Sequence, residues 1–336
     1  MLFRSIDQRG KVTRPAVLTA GGFGPVFAFQ KGNLAVWQAS GYGRIALFQV
    51  AQNAGLASSS HVATIESPDV TYDNPSFGHM LAFGPQLSLF AGNPYTWVSA
   101  PHDGRIYQYD ISSMASPVFV RKFAESPHAA GYFGSNIAAD GDILITAQGP
   151  NGGGPQTRSA AFIYRINADK SLTLLKTQGR NADFMMPSGA AVSGDVCAMM
   201  FGTVSGNGTG AEAWVFRVTR VNGVATDVEG PVTIPFSNTT MDATRAQPSG
   251  GSSYHAVALK DNRLALGIYG DDVSASDNTV HLYNVSSNGV LAATQEAVIP
   301  SPGLGASSRF GRRLLFINNG ALLVSDPLAA RSGTTA

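Results

Sequence analysis

Six copies of a repeat constrain the fold of this chain more than any other feature. The copies begin at residues 23, 77, 133, 186, 254 and 310, so successive starts are 53 to 68 residues apart. Each copy contains an apolar strand, a tight turn and a second apolar strand, and the first five copies continue with two more strand-like segments. A four-stranded unit at this period is typical of a β-propeller. The repeat therefore predicts an all-β fold of four-stranded antiparallel blades.

The third and fourth segments and the turns support this prediction. The third segment alternates aromatic or branched residues with polar ones, as in "RIYQYDI" from Arg105 to Ile111, which is typical of a half-buried strand. A weaker fourth strand follows, such as "PVTIPF". The turns carry residues that accept the positive φ of tight hairpins. They are Gly141-Asp142, Gly194-Asp195, Asp261-Asn262 and Asn318-Asn319.

The last copy stops after two strands, and the missing pair is predicted at the other end of the chain. "MLFRSI" at Met1–Ile6 resembles the third strands, and Lys11–Ala20 occupies the place of a fourth strand before Phe23. Pairing these two N-terminal segments with the last copy would complete its blade and cover the two sheet edges that an open ring would expose. We therefore expect one domain over residues 1–336. It is a six-bladed propeller whose last blade combines residues 310–327 with residues 1–20.

The best copy, "FGSNIAADGDILITAQGP" from Phe133, resembles the FG-GAP repeat. The resemblance covers essentially the whole chain, and four copies keep Phe-Gly. It implies a propeller like the head of the integrin α-chain, a module also found in bacterial and phage surface proteins. Integrin-type repeats often carry a calcium loop with aspartate at alternate positions, a spacing that this chain lacks. The most similar loop holds Asp271, Asp272 and Asp277, and calcium binding and a plain solvated loop both stay open.

Composition excludes several classes of function. Charged residues make up 13% of the chain and the net charge is +1, so we expect no nucleic-acid partner. No apolar run reaches the length of a membrane span or a signal peptide, so we expect no membrane insertion and see no export signal. The single cysteine, Cys197, lies in an apolar run and is interpreted as a small buried hydrophobe.

One segment combines aromatic and polar side chains in a way that suits a binding loop. "NPYTWVSAPHDG" places Trp97 close to Tyr95, His102 and Asp103. An exposed aromatic ring with polar neighbours can stack on a sugar ring, although most aromatic residues here are expected to pack between blades. These four residues are the candidate binding residues.

The sequence also leaves an enzyme open as an alternative. Five carboxylates are placed in connecting loops, where loops of successive blades gather on one face; they are Asp183, Glu212, Asp242, Asp271 and Asp272. A glycan hydrolase or lyase needs a pair of carboxylates on such a face. No nucleophile elbow and no zinc-type histidine pair occurs in the sequence, so no catalytic residue is assigned.

The main hypothesis is a non-catalytic recognition or adhesion propeller that binds a glycan or protein on a host surface. A surface low in charge and rich in Ser, Thr, Asn and Gly is typical of extracellular proteins, yet no export signal is visible. A phage virion protein, made in the cytoplasm and acting outside, reconciles the two. A spike or decoration subunit of a virion is therefore the expected setting, with other virion subunits as further partners.

Overall fold

The computed structural model of the chain consists of β-strands joined by turns and loops. The residues that it describes are 2–6, 12–17, 26–38, 43–53, 56–68, 76–94, 104–123, 132–149, 159–179, 185–203, 211–236, 257–268, 279–286, 288–302, 310–311, 313–317 and 320–325. The chain divides into two compact units, Met1–Ser135 and Asn136–Ala336. A single 3-10 turn, Pro85–Leu87, is the only helical element in the described ranges.

The first unit contains a hairpin and two four-stranded antiparallel sheets, in which each strand pairs with the next one along the chain. The N-terminal hairpin pairs β1 (Leu2–Ile6) with β2 (Val12–Val17). Sheet 1 consists of β3 (Phe27–Gln30), β4 (Asn33–Gln38), β5 (Arg44–Asn53) and β6 (Leu56–Glu66). Sheet 2 consists of β7 (Met80–Phe83), β8 (Ser88–Asn93), β9 (Arg105–Asp110) and β10 (Val118–Phe123).

The second unit contains three four-stranded antiparallel sheets of the same order and a hairpin. Sheet 3 consists of β11 (Ile137–Asp140), β12 (Ile143–Gln148), β13 (Ala160–Ile166) and β14 (Leu172–Gly179). Sheet 4 consists of β15 (Met185–Ser193), β16 (Val196–Thr203), β17 (Ala211–Val221) and β18 (Val224–Phe236). Sheet 5 consists of β19 (Val257–Lys260), β20 (Arg263–Ile268), β21 (Thr279–Val285) and β22 (Ala293–Pro300). The C-terminal hairpin pairs β23 (Leu314–Phe316) with β24 (Leu322–Val324).

These sheets confirm the prediction of an all-β fold of four-stranded antiparallel units. The described residues form five such sheets and two separate two-stranded ones. The strand pair predicted near the N-terminus is present as β1 and β2. The count of six blades, their closure by that strand pair and the single domain stay predictions.

One backbone hydrogen bond recurs at the equivalent position of all five four-stranded sheets. The donor is the backbone N–H of the residue two positions after the aromatic residue of the third strand. The acceptor is a backbone carbonyl in the turn between the first and second strands of the same sheet. The five bonds measure 2.7–2.9 Å and join Val50 to Gly32, Ile111 to Leu87, Ile166 to Asp142, Val218 to Asp195 and Val285 to Asn262. The predicted turn residues also adopt positive φ, with +54° at Gly141, +56° at Gly194 and +53° at Asp261.

A bulge recurs at the same place in every four-stranded sheet. The register between the third and fourth strands shifts next to the aromatic residue of the third strand, for example between Leu47 and Phe48 in sheet 1 and between Ile163 and Tyr164 in sheet 3. A bulge bends its strand and increases the local twist. The recurrence therefore gives the outer edges of the five sheets a common bend.

The Phe-Gly pairs have a defined structural role. The phenylalanines are buried, and the following glycines, Gly78, Gly134 and Gly311, have φ of +78°, +83° and +86°. A Cβ on Gly78 would collide with Ile45, and one on Gly134 with Arg105, at the start of the third strand in the preceding sheet. A Cβ on Gly311 would make a tight contact of 3.0 Å with Val280 at the equivalent place. Glycine is required here because the chain takes a left-handed conformation at a site of close approach.

Sheet 4 lacks the Phe-Gly pair and replaces it with a longer first strand. Its β15 runs for 9 residues, compared with 4 residues in β3, β7, β11 and β19. The extra length contains a register shift between Pro187 and Gly189. The start of this repeat therefore differs in structure as well as in sequence from the copies that keep Phe-Gly.

The apolar core lies between consecutive sheets within each unit. In the first unit, side chains of sheets 1 and 2, such as Leu47 and Tyr107, form one cluster. In the second unit, separate clusters join sheet 3 to sheet 4, sheet 4 to sheet 5, and sheet 5 to the C-terminal hairpin. Cys197 is fully buried in the cluster between sheets 3 and 4, and burial raises the pKa of its thiol. The interpretation of Cys197 as a small buried hydrophobe is confirmed.

The Phe-Gly contact can be tested by adding one methyl group. Gly134→Ala places a Cβ 2.8 Å from the carbonyl oxygen of Arg105, a backbone atom that cannot rotate away. Gly141→Ala is the matched control, because Gly141 also has positive φ but a Cβ there meets nothing within 4 Å. We expect the control to cost about 1–2 kcal/mol from backbone strain. We expect Gly134→Ala to cost about 1–3 kcal/mol more from overpacking.

The measurement is urea unfolding of both variants beside the parent chain. Equal losses of stability in the two variants would contradict the close approach at Gly134, because strain alone would then explain both.

Candidate functional site

Each four-stranded sheet has two different ends. At the turn end, tight turns join the first strand to the second and the third to the fourth. At the loop end, the second strand leads into the third and the fourth leads out of the sheet. The predicted binding residues Tyr95, Trp97, His102 and Asp103 belong to the segment between β8 and β9, and Asp271, Asp272 and Asp277 to the segment between β20 and β21. All seven lie outside the described residues, so binding and calcium at these positions stay predictions.

Buried polar side chains are concentrated at the loop end. The described residues include twelve buried polar side chains, and nine of them lie in the loop-end half of a strand or in the few residues that lead into or out of a strand at that end. They are Ser67, Ser76, His79, Asn93, Ser135, Asn136, Gln148, Ser159 and Ser188. Burying a polar group is unfavourable unless it forms a hydrogen bond. This concentration makes the loop end the candidate site.

In the first unit, several of these buried polar side chains lie where sheets 1 and 2 meet. The rings of Trp37 and His79 stand perpendicular to each other with centroids 4.9 Å apart. Ser76 donates a short hydrogen bond from its Oγ to Oδ1 of Asn93. Arg105 lies opposite Asn93 in the pairing of β8 with β9. The predicted binding segment leaves the sheet after Asn93 and returns just before Arg105, so the described residues form the base of that loop.

Sequence reasoning missed most of this group. Trp37 was expected only to pack between blades, and Ser76, His79, Asn93 and Arg105 were not singled out. One signal was available in the sequence: Arg44 and Arg105 occupy the same position at the start of their third strands. Arg44 forms an ion pair of 3.7 Å with Glu66.

In the second unit, the observed position of Glu212 shows that its predicted position was wrong. It was placed in a connecting loop, but it is the second residue of β17. Its Oε1 accepts a hydrogen bond of 2.8 Å from Nε1 of Trp214, whose ring packs 4.5 Å from that of Phe201. The Glu212 carboxylate therefore accepts the indole N–H of Trp214 at the loop end of sheet 4. The other four carboxylates considered for catalysis, Asp183, Asp242, Asp271 and Asp272, lie outside the described residues.

His281 marks a second loop-end position in the same unit. Its Nε2 is 3.0 Å from the hydroxyl of Thr279, and its ring lies 5.5 Å from that of Phe236. Burial lowers the pKa of His281, and a hydrogen bond with Gln295 opposes the shift. A histidine in this environment is held neutral at physiological pH.

The turn end of the second unit is built differently, because its charges are paired. Arg220 on β17 donates to Asp142 in the first turn of sheet 3 at 2.6 Å and to Asp195 in the first turn of sheet 4 at 2.5 Å. The hydrogen bond from Arg220 lowers the pKa of Asp142. Two further bonds join neighbouring turns, from the Gly194 N–H to Asp140 and from the Asp261 N–H to Ser193, both 2.9 Å.

Cations of one sheet also bind carbonyls of the next. Lys176 on β14 donates to the carbonyls of Val228 and Gly230 on β18, at 3.0 and 2.6 Å. Arg217 on β17 pairs with Glu229 and donates to carbonyls in the second turn of sheet 5. Because these charges bind protein groups of adjacent sheets, the turn end connects the sheets of the second unit and leaves the loop end as the candidate site.

No group of three or more His, Cys, Asp or Glu side chains in the described part of the chain is arranged to hold a metal ion. No helix in the described ranges is long and apolar enough to cross a membrane.

Comparison with known proteins supports the fold. No protein-family model and no curated protein matches the sequence. Among solved structures, a hypothetical selenium-binding protein from Sulfolobus tokodaii is similar with a TM-score of 0.52 and 12% identity, over 89% of this chain and 68% of that one. The β-propeller domain of the Trilobed protease from Pyrococcus furiosus gives a TM-score of 0.43 and 9% identity, over 92% and 79%.

TolB from Acinetobacter baumannii gives a TM-score of 0.43 and 13% identity over 90% of this chain, which spans 60% of the length of that protein. Identities this low concern the fold alone. The chain is an all-β protein whose consecutive four-stranded sheets are the building units of a β-propeller. The resemblance to the FG-GAP repeat stays a prediction from the sequence.

The paired charges of the turn end predict a specific response to pH. Since the pKa of Asp142 is lowered in the folded state, its contribution to stability is complete above the unfolded value near pH 4 and is lost as the pH falls through the folded value. We expect Asp142→Asn to cost up to about 1 kcal/mol at pH 7. The difference from the parent chain should decrease as the pH is lowered from 7 to about 2.

Urea unfolding at both pH values measures this difference. Asp261→Asn, in the corresponding turn of sheet 5, is the matched control, because only the backbone N–H of Asp261 is bonded across sheets. A cost of Asp142→Asn that stays the same at low pH would contradict the ion pair with Arg220.

Proposed function

We propose that this chain is a non-catalytic recognition protein whose loop end binds a glycan or a protein on a cell surface. The observation that carries the proposal is the concentration of buried, mostly uncharged polar side chains at that end. Ligand sites in proteins combine aromatic and apolar walls with a few placed hydrogen-bonding groups. Trp37, His79 and Asn93 form such a combination at the base of the segment that holds Tyr95 and Trp97.

The proposed ligand class follows from the chemistry of these side chains. Indole and imidazole rings offer flat apolar faces with a polar edge, and Ser and Asn offer neutral donors and acceptors. A sugar presents the complementary pattern, with apolar C–H faces and a rim of hydroxyl groups. Trp97, His102 and Asp103 would complete the binding surface above the described base.

The proposal extends to the setting of the protein. A chain with 13% charged residues and abundant Gly, Ser, Thr and Asn resembles extracellular proteins in composition. We place it in a phage virion, as a spike or decoration subunit that binds the host surface. Calcium at Asp271, Asp272 and Asp277 belongs to the same proposal as a structural ion of the loop end.

The central test is glycan-array binding by the purified chain and by Trp97→Ala. We expect the substitution to weaken binding at least about tenfold, because an aromatic anchor supplies a large share of the affinity at a sugar site. Phe119→Ala is the matched control: Phe119 is 47% exposed on the outer strand β10. The control should change the affinity by less than about twofold.

Binding that is unchanged in Trp97→Ala would remove Trp97 from the site. If the parent chain binds neither glycans nor whole host cells, the recognition function itself is wrong.

The finer architecture belongs to the proposal as well. We propose six blades of the FG-GAP type, the sixth made of the N-terminal and C-terminal hairpins. Removing residues 1–20 should then lower the free energy of unfolding by at least about 3 kcal/mol, because a blade loses half of its strands. Removing residues 331–336, "RSGTTA", should change it by less than about 0.5 kcal/mol.

Thermal and urea unfolding of the two truncated chains measures this difference. Equal tolerance of both deletions would overturn the closed ring.

A further inference from the structure

A partly buried histidine connects the loop ends of sheets 4 and 5. His281 is the third residue of β21, and its ring stands across that of Phe236, the last residue of β18, with centroids 5.5 Å apart and planes at 78°. On its own strand it stacks with Tyr283 at 6.5 Å. Its partners across β20 and β22 are the apolar residues Leu266 and Val298. The imidazole is therefore part of the contact between two sheets at the end where the candidate site lies.

The two ring nitrogens of His281 have different surroundings. Nε2 is 3.0 Å from Oγ1 of Thr279, whereas Nδ1 is buried and has no hydrogen-bond partner. A neutral imidazole carries one N–H, but an imidazolium carries two, and both need an acceptor. The charged ring would therefore leave a buried N–H unpaired, which is unfavourable. Burial lowers the pKa of His281 and outweighs the opposite effect of a hydrogen bond with Gln295.

No carboxylate of sheet 4 among the described residues is placed to neutralise a charge on His281. Arg217 and Glu229 face sheet 5, but they pair with each other toward the turn end. Arg217 is six residues along β17 from the position opposite Phe236, a distance of about 20 Å along a strand. Glu212 lies on the other side of sheet 4, together with Trp214. The remaining charged side chains of the sheet lie in or beside its turns.

The charged side chains of sheet 5 that the structure describes have other partners or lie in its first turn. Glu296 on β22 pairs with Arg263, the first residue of β20, at 3.1 Å. Lys260 on β19 donates to a carbonyl of the C-terminal hairpin, and Asp261 lies in the first turn. Tyr283 is the titratable neighbour on the same strand, and burial raises its pKa, so it stays neutral in acid. A proton on the histidine would therefore add a charge without a counter-ion.

We propose that His281 is a pH-sensitive contact, which holds sheets 4 and 5 together at the loop end while it is neutral and releases them when it is protonated. Histidine is the side chain whose charge ordinarily changes between about pH 5 and pH 8. The imidazolium regains hydration only by leaving the ring of Phe236, so the end of β18 separates from β21. The segments that leave these two strands then lose their common base. This switch acts on the fold and does not depend on what the loop end binds.

The first test compares the parent chain with His281→Gln, which keeps a hydrogen-bonding amide and cannot be charged. In the unfolded chain a histidine titrates near about pH 6.5. Because the folded ring is harder to protonate, the contribution of the neutral ring to stability is complete well above that pH and decreases as the pH falls below it. Between about pH 7.5 and about pH 5, the folding equilibrium constant of the parent should fall about three- to thirtyfold more than that of His281→Gln.

His61→Gln is the matched control for this comparison. Nε2 of His61 is also 3.0 Å from a threonine hydroxyl, that of Thr64, and the ring also stands across a phenylalanine, Phe48, at 5.4 Å. His61 is exposed, however, so its charged form stays hydrated. Urea unfolding of the control should therefore show the same pH dependence as the parent chain.

The second test locates the change by hydrogen exchange, measured for the parent and His281→Gln at the same acidic pH. Amides at the end of β18 should exchange faster in the parent, because the contact with β21 is released there. Amides in the first turn of sheet 4 should exchange alike in both chains. Equal exchange at the end of β18 would show that the sheets stay together and would overturn the release.

The remaining outcomes decide whether His281 is the switch. Equal losses of stability in the parent and in His281→Gln on acidification overturn the proposal, and so does a control that differs from the parent as much as His281→Gln does. Titration of His281 by NMR in the parent chain needs no variant and decides the case in which His281→Gln does not fold. A midpoint below about pH 6.5 supports the switch, and one at or above that value overturns it.

Discussion

The close approach of a Phe-Gly turn to the third strand of the preceding sheet is the constraint on which the described arrangement depends. Gly78, Gly134 and Gly311 each occupy a position where a Cβ would meet atoms of that strand or its neighbour. The buried phenylalanine before each glycine anchors the turn in the core. The contact is made at the loop end, where the candidate site lies, and it brings each of these turns against a strand of the same unit.

The same contact joins the fold to the site. Gly78 lies against Ile45 and Trp37, and the carbonyl of Arg105 lies under Gly134. Trp37 and Arg105, which both lie at the loop end, are therefore in contact with these turns. Rigid elements position binding groups more accurately than loops do.

The strands and turns were predictable because they repeat. Aromatic-X-aliphatic endings of the third strands and Gly-Asp turns are local patterns, and the structure places them at equivalent positions, with the same hydrogen bond in five sheets. The recurrent bulge was not predictable, since the sequence does not state which residue is left unpaired. The group of Trp37, His79, Asn93 and Arg105 was also missed. Its members come from two sheets, and the contact seen between the sheets, that of Trp37 with His79, joins residues 42 positions apart in the chain.

The two tryptophans at the loop ends, Trp37 and Trp214, differ in how the indole N–H is satisfied. In sheet 4, Glu212 precedes Trp214 by two residues on the same strand, so the acceptor for the indole N–H is built into the sequence. In sheet 1, Trp37 is the fifth residue of β4, and no described side chain accepts its N–H. Trp214 is therefore tied to a carboxylate of its own strand, whereas no described side chain does the same for Trp37.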